Sequence, residues 1–204
     1  MKKAIAALAV LVGLGMLFKG QHRETPPPRD EEDAPSPPEK REERVLLLGD
    51  SLAVGLTPTL GRAFRHFRSE AEVGARVRDW ASGKYASRLD RALSEFRPTT
   101  VLISLGTNDE ARRRTEPDFD VARATQPVLS ELLSKLHGAR IIWIGLPSFS
   151  KWPADEGLRE LFAEVSSRYY DTAAHDDAFS RAGDKVHFTT TGYRQWGEAF
   201  LAWL

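Results

Sequence analysis

A serine hydroxyl attacks a carbonyl when a base takes its proton and fixed donors hold the resulting oxyanion. The chain contains candidates for each part. Ser51 follows Gly49-Asp50 at the end of the apolar run Val45-Leu46-Leu47-Leu48. It stands where a strand gives way to a helix, and a helix N-terminus offers unpaired N–H groups and partial positive charge. His187 is the candidate base. In Gly183-Asp184-Lys185-Val186-His187 a carboxylate lies three residues upstream, so one loop can present both the imidazole and the group that fixes its tautomer. The expected oxyanion donors are the backbone N–H of Ser51, the backbone N–H of Gly74, and the side-chain amide of Asn108 in Gly106-Thr107-Asn108-Asp109. Each also has a plainer reading: Ser51 as a helix cap, Gly74 and Asn108 as turn residues, Asp184 and His187 as a polar loop. What favours chemistry is that all fall at strand or loop ends, where one rim can gather them.

The other histidines offer less. His22 lies in a Pro-rich segment, His66 and His137 in or at the ends of helices, and His175 among Asp171, Asp176 and Asp177. That last cluster reads as a solvated acidic loop in preference to a metal site. There is no cysteine, which excludes a thiol nucleophile, a disulfide framework and a Cys-ligated zinc site. Lys+Arg and Asp+Glu both number 29, so no global field points to a nucleic-acid partner.

The elements that must position these residues follow in order. Lys2 and Lys3 precede an apolar stretch from Ala4 to Phe18, so residues 1–19 read as an export signal or a membrane anchor. As a helix the stretch would span roughly 22 Å, short of the ~30 Å hydrocarbon layer unless Lys3 and Lys19 snorkel. The expected location is outside the cytoplasm: membrane-anchored, periplasmic or extracellular, with membrane contact through that segment. Residues 20–44, with Pro26, Pro27, Pro28, Pro35, Pro37 and Pro38 among charges, lack a core and read as a disordered, semi-rigid linker.

From Val45 apolar runs alternate with helical patterns, which predicts a parallel sheet with crossover helices. Strands are expected at 45–48, 71–73, 100–105 and 141–144. The first helix should run from Ser51 through Phe64 and Phe67, unless Pro58 starts a main helix capped by Thr57. Further helices are expected around 85–96, over 121–136 with a kink or division at Pro127, over 158–169, and in a C-terminal stripe of Tyr193, Trp196, Phe200, Leu201 and Leu204. Arg112, Arg113 and Arg114 read as a solvated charge run in preference to an anion contact. Trp143 reads as core, while Trp80, Phe149 and Trp152 are open between packing and lining a pocket.

Gly49-Asp50-Ser51-Leu52, Gly74, Gly106-Thr107-Asn108-Asp109 and Asp184-x-x-His187 resemble the four sequence blocks of the SGNH/GDSL hydrolase family, in the family's order, with Gly83 as an alternative second-block glycine. The similarity covers residues 45–204. It implies an α/β fold, a three-layer doubly wound parallel sheet of the flavodoxin-like kind. It implies Ser51 as nucleophile, His187 as general base, Asp184 as its partner, and an oxyanion hole of Ser51, Gly74 and Asn108, with no metal and no cofactor. Ala53 leaves no G-x-S-x-G elbow, which disfavours an α/β-hydrolase. The expected activity is cleavage of carboxylic esters, O-acetyl groups of a cell-envelope or extracellular carbohydrate first. A lipid esterase or thioesterase, an O-acetyltransferase, or a catalytically silent carbohydrate-binding protein are the alternatives.

Overall fold

The structure, a computed structural model, describes residues 41–204. The expected signal or anchor and most of the linker lie outside them. Five strands, β1 (Arg41–Gly49), β2 (Phe64–Ala71), β3 (Thr100–Ser104), β4 (Arg140–Ile144) and β5 (Arg168–Tyr170), form one sheet in the order β2-β1-β3-β4-β5. Every pairing is parallel. That is the doubly wound order, with its switch point between β1 and β3.

Alternation along the strands sorts the core into two layers. Leu46, Leu48, Val101, Ile103, Ile141 and Trp143 face one side, packed with α2 (Val77–Ala81), α3 (Ala86–Phe96), α5 (Val121–Lys135) and α6 (Glu156–Val165). Val45, Leu47, Leu102, Ile142 and Ile144 face the other, under α1 (Ser51–Ala63) and α7 (Thr190–Trp203). A short helix, α4 (Thr107–Glu110), follows β3. Because residues 45–48 of β1, 101–103 of β3 and 141–144 of β4 are buried on both faces, they read as continuous apolar runs.

Five expectations need correction. The second strand is Phe64–Ala71, not 71–73, so Phe64 and Phe67 belong to it and not to α1. Helix α1 runs unbroken through Pro58, and Thr57 is no cap: its hydroxyl donates to the Ala53 carbonyl at 3.0 Å from within the helix. The acceptor that Pro58 forgoes belongs to Val54, on an exposed turn where solvent can serve it. Pro127 likewise sits inside a continuous α5. Helix α6 ends at Val165, and Arg168 and Tyr169, read as its end, belong with Tyr170 to the fifth strand. At its start the sheet reaches four residues further back than Val45, to Arg41.

Candidate active site

Strand β1 ends in a turn that admits no side chain at Gly49: a methyl there would overlap that of Ala53 and crowd the Ser104 carbonyl at 2.6 Å. Asp50, fully buried, then caps α1, its Oδ1 accepting the Leu52 N–H at 2.9 Å while its own N–H donates to the Ser104 carbonyl at 3.1 Å. Ser51 is thereby the first residue of α1, its hydroxyl outside the sheet's carboxyl edge. From the opposite face the buried Trp80 indole N–H donates to the Gly49 carbonyl at 3.2 Å and fixes the turn. Desolvation raises the Asp50 carboxyl to about 7.

His187 arrives from the far end of the chain. Its Nε2 lies 2.8 Å from Ser51 Oγ, and its Nδ1 lies 2.6 Å from Asp184 Oδ2. The other Asp184 oxygen accepts the backbone N–H groups of Val186 and His187, both at 2.9 Å. The bond to the imidazole, and then those two amides, hold the Asp184 carboxyl well below its usual range, so it stays ionised. Lys185 turns the loop in a left-handed conformation, φ 62°.

This loop is braced by Arg181. Its guanidinium donates to the Val186 carbonyl at 3.2 Å and the Ser148 carbonyl at 2.7 Å, pairs with Asp176, and lies 4.3 Å over the Phe188 ring. Asp171, His175 and Asp177 are exposed, as expected of a solvated loop, but Asp176 is 3% exposed and corrects that reading for itself: its carboxylate is committed to Arg181 and to the Ser148 N–H.

The oxyanion candidates sit after β2 and β3. Gly74 has φ 78°, a conformation that suits glycine, and its N–H has no partner among the described residues. Gly83 is not the substitute, since its N–H is spent on the Arg78 carbonyl at 2.9 Å. Asn108 Nδ2 donates to the Ala75 carbonyl at 3.0 Å, which ties the Gly74 loop to the Asn108 loop. Its remaining N–H has only a long approach, 3.5 Å, to Asp50 Oδ2 and is open to a ligand. Gly106, at φ 118°, lets this loop rest directly on Phe162, whose ring a side chain there would strike. Ser51, Asp184 and His187 are thus joined by hydrogen bonds, and Asn108, Gly74 and Asp50 border them.

The peripheral aromatic and basic residues resolve into packing. Trp143 is buried and stacks on Phe162 at 4.0 Å. Phe149 and Trp152 pack together at 4.7 Å, and the Trp152 indole donates to the buried Glu110 at 3.1 Å. Arg113 donates to the Pro117 and Ala154 carbonyls, and Arg112 pairs with Glu116, so the arginine run is mostly engaged. The site residues that sequence reasoning missed are Asp50, Trp80 and Arg181. Asp50 stood in the quoted block, but nothing local foretold the other two contacts.

Comparison with known proteins agrees with the geometry. No curated protein matches the chain. Among solved structures, the psychrotrophic esterase EstA from Pseudoalteromonas sp. is similar at 17% identity and TM-score 0.55, over 78% of this chain and 94% of that one. The catalytic domain of Streptococcus pneumoniae peptidoglycan O-acetyltransferase A is similar at 18% identity and TM-score 0.56, over 79% and 92%. The acetylxylan esterase Axe2 from Geobacillus stearothermophilus is similar at 18% identity and TM-score 0.51, over 80% and 94%. At such identities these likenesses concern the fold. The GDSL-like lipase/acylhydrolase family model matches residues 47–195, a span that starts just before Ser51 and ends beyond His187, and the chain therefore belongs to that family of ester hydrolases.

Proposed function

We propose that this protein is a serine esterase that removes O-acetyl groups from a cell-envelope or extracellular carbohydrate through an acyl-serine intermediate. The observation that carries the chemistry is the 2.8 Å approach of His187 Nε2 to Ser51 Oγ, with Asp184 on the other ring nitrogen. His187 accepts the serine proton as Oγ attacks the ester carbonyl. Asp184 orients the ring and stabilises the imidazolium that forms. The oxyanion is held by the N–H groups of Ser51 and Gly74 and by the Asn108 amide. Collapse expels the alcohol, which takes its proton from His187, and water releases the acyl group by the same steps in reverse order. The acetyl preference draws support from two proteins of this fold, an acetylxylan esterase and a peptidoglycan O-acetyltransferase. Export draws support from the basic-then-apolar stretch of Lys2 to Phe18 and from the absence of cysteine.

Assay of the full chain against p-nitrophenyl esters of increasing length tests this. Acetate should be the best substrate, and Ser51→Ala should remove turnover. A long-chain optimum would replace the acetyl reading with a lipid esterase or thioesterase, and no hydrolysis by a folded protein would overturn the esterase altogether.

A further inference from the structure

A cleft opens beside Asn108, between its loop, α2 and α5. About 120 Å³ of it is free, room for a compact group and not for a long acyl chain. Phe119 lines its apolar side, and Arg76, Arg78 and Arg112 line its cationic side. Arg112 is largely neutralised, since it pairs with Glu116 at 2.9 Å and lies 3.5 Å over Phe119. Arg76 and Arg78 are different. Both are exposed, and neither guanidinium makes an ion pair among the described residues. They sit two and four residues beyond Gly74, on the segment that Asn108 ties down through the Ala75 carbonyl. The facing carboxylates attract Arg76 without pairing with it directly: Asp109, which also lines the cleft, interacts with the Arg76 charge but turns its oxygen to the Val77 N–H at 3.2 Å, and Asp79 accepts the backbone N–H of Arg76 at 2.9 Å.

We infer that this cleft is an anion subsite, and that the ester substrate carries a carboxylate or phosphate which Arg76 and Arg78 hold while its carbonyl oxygen meets Asn108. A guanidinium fork matches either oxyacid. The subsite rests on the esterase reading above and adds the charge class of its substrate. A negatively charged sugar ester is drawn to a site whose chain as a whole has no net charge, so the attraction is local and acts at short range.

The test compares kcat/KM of the full chain for mono-O-acetyl esters of methyl glucoside, methyl glucuronoside and methyl glucoside 6-phosphate, with p-nitrophenyl acetate as reference. The wild type should favour one charged ester over the neutral one by about fivefold to twentyfold at low salt, the scale of two exposed charge pairs. Which one it favours distinguishes carboxylate from phosphate. In Arg76→Gln/Arg78→Gln that preference should fall to about one. In Arg194→Gln, which breaks an exposed pair with Glu198 on α7, it should persist. Equal rates on all three sugars in the wild type, or a preference that survives in the double variant, would overturn the subsite while leaving the esterase standing. Failure to hydrolyse even p-nitrophenyl acetate would defeat both.

Discussion

Asn108 does two jobs with one amide group. One N–H fastens the Gly74 loop through the Ala75 carbonyl, and the other remains for the substrate. In the proposed mechanism its truncation removes one oxyanion donor and loosens the segment that carries another, Gly74. Asn108→Ala should lower kcat by about 10²- to 10³-fold, the cost of a lost oxyanion donor. The far-ultraviolet spectrum should not change, because the residue is only half-buried and lies in the short helix beyond the end of β3. Turnover equal to wild type would remove Asn108 from the oxyanion hole.

At the level of elements, the hairpin carrying Asp184 and His187 has little core of its own and depends on Arg181. The segment closes on itself through Ala182 N–H to the His187 carbonyl at 2.9 Å and Thr189 N–H to the Ser180 carbonyl at 2.8 Å, but its position over Ser51 is set by the guanidinium between Asp176, Ser148 and Val186. Arg181→Met leaves Asp176 buried without its counter-charge and should cost about 2–4 kcal/mol. Below its melting temperature the variant should keep KM within a few-fold while kcat falls tenfold or more, because misplacing the base affects proton transfer and not binding. An unchanged kcat in folded protein would show that the hairpin positions itself. The same elements show what the sequence made legible. The central parts of β1, β3 and β4 were read because burial on both faces makes them apolar, whereas the charged start of β1, residues 41–44, was not. Edge strand β2, Phe-Arg-His-Phe-Arg-Ser-Glu-Ala, was not, since its outer side admits charge, and three-residue β5 merged into the helical pattern before it. Ser51, Asn108 and Asp184-x-x-His187 were readable because their motifs are local. Arg181 and Trp80 act across the fold, through partners that spacing does not reveal.

For the molecule as a whole, carboxyls set the pH dependence of stability. Burial raises Asp50 from 3.8 to about 7 and Asp109 from 3.8 to about 6, and it also raises Glu110 and Asp176. Between pH 4 and about 8 the folded state holds protons that the unfolded chain releases, so stability should fall as pH rises through that window and level off above it. Asp184 acts oppositely: its lowered pKa adds stability above about pH 4 and loses it in stronger acid. Thermal melts should therefore peak in mildly acidic buffer. Asp50→Asn, which keeps an acceptor for the Leu52 N–H, should flatten the decline toward pH 8. A wild-type melting temperature that rises steadily from pH 5 to 8 would contradict this. Gly49 and Gly106, where neighbouring atoms fill the space of a side chain, are anchor points at which the active-site lip can scarcely mutate. Val54, Val73, Arg76 and Arg78 stand exposed between or beside those anchors. Those four exposed positions can be exchanged without reshaping the core beneath them, so evolution has room to vary the surface around the lip while its two glycines stay fixed.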